Sequence, residues 1–194
     1  MSEKHDKSFN RQRSETFDTI IALLDRRIKA VLPPVLLHFN EIAPDDLHAA
    51  AEKEVWSLLL HGVRHLKDGA PDGQPGTMTE ALSKASLRAS ALAAALGVRP
   101  PQFEPIYFTV DYTTGHEAAL FFCHRLAEAA AGDLSKSRQL IQQKIVAEKP
   151  ETETLKKQMA AAFDVLAETY GRLCHEFKSL LDAVNPPAPA PEQE

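Results

Sequence analysis

The stretch that decides the fold is "MAAAFDVLAETYGRLCHEFKSLLDAV", from Met159 to Val184. Apolar residues recur in it every seven positions, in two interleaved series. These are Met159, Leu166, Leu173 and Leu180, and then Phe163, Tyr170, Phe177 and Val184. The adjoining stripe is also apolar and consists of Ala160, Ala167, Cys174 and Leu181. This spacing predicts an α-helix, and an apolar face this wide is typical of a helix that packs against at least two neighbours.

The length of this C-terminal helix is itself informative. Between Glu151 and Val184 a helix extends roughly 50 Å at about 1.5 Å per residue, which is longer than most helices of globular proteins. The sequence therefore predicts that part of the helix extends beyond the bundle, or that a second subunit covers it.

Four more helical patterns precede it. The first places apolar residues on one face from Phe17 to Val31 and is stopped by Pro33 and Pro34, and the second runs from about Asp45 to Lys67. The third begins with a capping box of Thr77 and Glu80 and repeats to Leu96, and the fourth begins with a capping box of Thr114 and Glu117. Gly62 lies in the buried face of the second helix. Since glycine costs helix stability there, it predicts a close crossing by another helix.

The predicted fold class is therefore mainly α. It is a helical bundle of about five helices with a long C-terminal helix and one or two short extended segments. Residues 1–12 are predicted to form a flexible N-terminal segment, residues 13–184 a single helical domain, and residues 185–194, "NPPAPAPEQE", a disordered proline-rich tail.

One segment has the pattern of a strand. In "PIYFTVDYTT", residues 105–114, β-branched and aromatic residues alternate with period two. Its pairing partner is either the segment 35–39 of the same chain or another chain, because a single strand leaves its backbone groups unpaired. Tyr107, Phe108 and Tyr112 are candidate partner-binding residues, since aromatic residues are enriched in the cores of interfaces. The alternative is that they fill the core between helices.

Charge and composition exclude several classes of protein. The net charge of -5 does not favour binding to nucleic acid, and no apolar run approaches the ~20 residues that cross a membrane. The first residues contain no apolar run, so we expect no secretory signal, and we expect no disulfide framework from the two cysteines. We expect a cytoplasmic protein in which Cys123 and Cys174 are small buried apolar residues.

His61 and His65 are the candidate metal ligands. Histidines four residues apart on a helix can bind one ion, such as zinc or iron. Glu54 lies two turns away from His61, roughly 10 Å along the axis, so further ligands have to come from another helix. His116 and His124 are the candidates for that role.

The sequence contains no GxGxxG, P-loop or GxSxG motif. This absence favours a non-enzymatic protein-interaction module, an accessory or regulatory factor that binds a protein partner and could form a homodimer. The alternative prediction is a small helical metal- or cofactor-binding protein that uses His61 and His65.

Overall fold

The computed structural model describes residues 2–31, 44–69, 75–87, 103, 112–148 and 153–184. The helices of this part are α1 (Ser2–Ala30), α2 (Pro44–Asp68), α3 (Pro75–Ala85), α4 (Gly115–Glu148) and α5 (Glu153–Val184). These residues contain no strand, and the predicted all-α bundle is confirmed. None of the described helices is both long and apolar enough to cross a membrane.

Helix α5 packs against both α4 and α2, as the width of its apolar face predicts. The buried members of its two heptad series are Phe163, Leu166, Tyr170, Leu173 and Phe177. The last two members are exposed, Leu180 by 42% and Val184 by 45%. The adjoining stripe is less regular, because Ala167 is exposed whereas Cys174 and Leu181 are half-buried. Among the described side chains of the two heptad series, the exposed ones are therefore those in the last turns of α5.

Gly62 lies where α2 meets two other helices, and the predicted close crossing is confirmed. A Cβ atom built on Gly62 would lie 2.7 Å from Leu126 Cδ2 of α4 and 2.9 Å from the carbonyl oxygen of Ala81 in α3. A real side chain does not fit at these distances, so the absent side chain of Gly62 permits the approach of both helices.

Helix α3 ends at Ala85, earlier than the predicted Leu96. Its end is held by α5, since the hydroxyl of Tyr170 donates a hydrogen bond of 3.1 Å to the carbonyl oxygen of Ala85. It is also held by α4, since the hydroxyl of Ser86 donates to Asp133 Oδ2 at 2.6 Å. Both bonds are buried, and the bond from Tyr170 satisfies a backbone carbonyl oxygen at a helix end, where the last carbonyls have no partner within the helix.

Helix α4 begins close to the Thr114 box that its sequence predicts. The amide of Glu117 donates to the Thr114 hydroxyl oxygen at 3.2 Å, but the Glu117 carboxylate accepts from the amide and hydroxyl of Thr113. Gly115 lies directly against the backbone of α1, whose Gln12 accepts a hydrogen bond from the Gly115 amide at 3.3 Å. The start of α4 is therefore fixed on α1.

Polar side chains join α1 to the rest of the bundle. Arg27 donates to both carboxylate oxygens of Glu176 in α5, at 2.8 and 3.0 Å, and Arg13 donates to the carbonyl oxygen of Leu66 in α2 at 3.0 Å. Helix α1 begins at Ser2, so it includes most of the segment assigned from sequence to a flexible terminus. Other predictions lie outside the described residues: the segment 35–39, residues 88–102, Tyr107, Phe108 and the tail 185–194.

Candidate functional site

The predicted metal ligands His61 and His65 line an open groove between α2 and α3. The other residues that line it are Arg64, Asp68, Ser83 and Lys84. His65 Nε2 lies 2.9 Å from Glu80 Oε2, and Arg64 lies 3.1 Å from Asp25 Oδ2 of α1. His61 is exposed. The groove is thus a polar surface in which His65 and Arg64 already have carboxylate partners.

The four histidines proposed as metal ligands do not share one site, and those with a polar contact each contact a different residue. His116 Nδ1 lies 2.5 Å from the hydroxyl oxygen of Thr16, whereas His124 Nε2 lies 3.7 Å from Glu128 Oε1 within α4. Among the described residues, no three His, Cys, Asp or Glu side chains are grouped so that they could hold one metal ion.

Tyr112, the described member of the predicted partner-binding set, packs on the first turns of α4. Its ring centroid lies 5.3 Å from that of Phe121 and 5.8 Å from that of Phe122, with both pairs tilted. The Arg125 guanidinium lies 5.4 Å from the Phe121 ring centroid and donates to Glu128 at 2.7 Å. We call Tyr112, Phe121 and Arg125, which are all half-buried, the aromatic surface.

The hydroxyl of Tyr112 is the unusual group of this surface. It is buried and has no hydrogen-bond partner among the described residues. Burial, followed by the negative charge of Glu117, raises the pKa of Tyr112 above its usual value, although the charge of Arg125 acts in the opposite direction. Tyr112 therefore stays neutral and keeps its proton as a hydrogen-bond donor at neutral pH.

The predicted spacing located only part of this surface. It selected Tyr112 by its period-two pattern. It did not select Phe121 or Arg125. The sequence did contain a signal for Phe121, namely its position next to Phe122. Adjacent side chains on a helix point about 100° apart, so the two rings cannot both point to the centre of the core.

The cysteines are not activated thiols. Cys123 is completely buried, as predicted, and burial raises its pKa. Cys174 is half-buried, and burial together with the charge of Glu128 raises its pKa to about 11. A thiolate is the nucleophilic form of cysteine, so neither side chain is suited to nucleophilic catalysis at neutral pH.

The core also contains a polar cluster that the sequence pattern did not predict. Ser86, Asp133, Ser137 and Tyr170 are all buried, and the Ser137 hydroxyl donates to the backbone carbonyl of Asp133 at 3.0 Å. Glu54 of α2 interacts electrostatically with Tyr170, and burial raises the pKa of Glu54. The cluster joins α3, α4 and α5, and its hydrogen bonds hold these helices together.

Comparison with known proteins adds no relative: no protein family model, curated protein or solved structure matches the chain.

Proposed function

We propose that this protein is a non-enzymatic interaction module, an accessory or regulatory factor, and that it binds a protein partner through the aromatic surface. The adjoining segment 103–113, with Tyr107 and Phe108, contributes to the same contact. One observation carries the proposal: Phe121 and Arg125 lie together on α4 beside Tyr112, and both side chains are only half-buried, so an aromatic ring and a guanidinium stay partly exposed side by side.

The residue types support an interface. Tyrosine and arginine are enriched among the few residues that supply most of the binding energy of protein complexes. Phe121 and Phe122 stand edge to face with ring centroids 6.0 Å apart, and Arg125 stacks on Phe121, so the surface is held in place before a partner arrives. A preorganised surface loses less conformational entropy when it binds.

The chemistry of the surface indicates the chemistry of the partner. The Arg125 guanidinium is half-buried and carries several N–H donors, of which one pairs with Glu128, so a partner segment that supplies oxygen acceptors, either backbone carbonyls or a carboxylate, suits this surface. The Phe121 ring requires an apolar side chain beside those acceptors. An extended peptide segment of a protein offers both features in close succession.

Three variants and a matched control test this proposal. Phe121→Ala and Arg125→Ala remove the ring and the guanidinium, and Tyr112→Phe removes only the hydroxyl. Lys136→Ala, at an exposed position of the same helix, is the control. Each variant is first compared with wild type by thermal unfolding, so that a loss of binding is not confused with a loss of fold.

The binding measurement is quantitative enrichment from native lysate after mild cross-linking, followed by titration of the purified partner. We expect one protein to be retained by wild type, by Lys136→Ala and by Tyr112→Phe, which removes only a buried hydroxyl, and to be lost by Phe121→Ala and Arg125→Ala. The affinity should fall by about 10- to 100-fold, which corresponds to about 1.4–2.7 kcal/mol. A partner that binds Phe121→Ala and Arg125→Ala as tightly as wild type, or the absence of any such partner, would refute the proposal.

A further inference from the structure

We draw no further inference here: the strongest candidate, the exposed apolar C-terminal turn of α5 at Leu180 and Val184, carries nothing because no contact among the described residues shows what covers it.

Discussion

Replacement of Gly62 by alanine tests the central packing of the bundle. The added methyl group would lie 2.7 Å from Leu126 Cδ2, 2.9 Å from the Ala81 carbonyl oxygen and 3.0 Å from Ala85 Cβ. Leu126 is completely buried and the Ala81 oxygen belongs to a helix backbone, so neither can move aside freely.

The expected magnitude is a difference between two effects. Overpacking of a core costs about 1–3 kcal/mol, whereas replacing glycine by alanine within a helix gains about 1 kcal/mol. Gly62→Ala should therefore destabilise the fold by about 0–2 kcal/mol. For a chain of this size each kcal/mol corresponds to about 2–4 °C in the melting temperature.

Two other helical glycines provide matched controls. Gly132 in α4 and Gly171 in α5 are exposed, and a Cβ atom built on either has no neighbour within 4 Å. The same substitution at these positions gains helix propensity without a clash and should raise the melting temperature by about 2–4 °C.

The assay is thermal and urea unfolding of the three variants, with circular dichroism as the probe of helix content. The diagnostic quantity is the stability of Gly62→Ala relative to the two controls, which should be lower by about 1–3 kcal/mol. Equal stabilisation of all three variants would show that α3 and α4 do not approach α2 at Gly62, and the packing described above would be wrong.

Three further predictions concern polar side chains that are buried or half-buried in the bundle. Tyr170→Phe removes a hydrogen-bonded hydroxyl and should lower the free energy of unfolding in urea by about 1–2 kcal/mol. Tyr112→Phe removes a hydroxyl that has no hydrogen-bond partner among the described residues, and it should change that free energy by less than about 0.5 kcal/mol or increase it. Similar losses in both variants would contradict the assignment of their hydroxyls. Because the folded pKa of Glu54 lies above its usual value of 4.5, its contribution to stability is complete below pH 4.5 and is lost as the pH rises through the folded pKa. Glu54→Gln should remove this loss, so the variant should have a higher free energy of unfolding than wild type at pH 7. Equal or lower stability of the variant at pH 7 would argue against the burial of Glu54. With an aromatic disulfide reagent at pH 8, Cys174, whose pKa is about 11 instead of 9.0, should react about 10-fold more slowly than an ordinary thiol, because its smaller thiolate fraction outweighs the higher nucleophilicity of that thiolate. Cys123 is completely buried and should react only on unfolding. Fast labelling of both thiols in the native protein would show that the core is open.

The helices themselves were predictable because their residues carry a repeat that matches the helical period. The face of α5 that includes Leu166, Leu173 and Phe177 is buried as its heptads indicate. Gly62 was equally informative, since a glycine in an apolar helical face has few explanations other than close approach. In both cases the signal lies within one helix and depends only on local spacing.

The candidate site was less accessible to this reasoning, because it depends on contacts between residues distant in the chain. His61 and His65 have ligand spacing, but whether a third ligand faces them is a property of the packed helices. The aromatic surface combines Tyr112, which precedes α4, with Phe121 and Arg125 within it, and the exposure of these side chains depends on how α4 lies against its neighbours.

The sequence by itself determined the class of fold, the heptad face of α5 and the place where α2 is crossed, since periodic burial of apolar side chains is encoded locally. Only the tertiary structure decided that Tyr170 and Asp133 hold the end of α3, that His65 pairs with Glu80, and that the buried hydroxyl of Tyr112 has no acceptor within the part of the chain that the structure describes. Hydrogen bonds and ion pairs of this kind require atoms within about 3 Å of each other, and only the packing of one helix on another sets such distances.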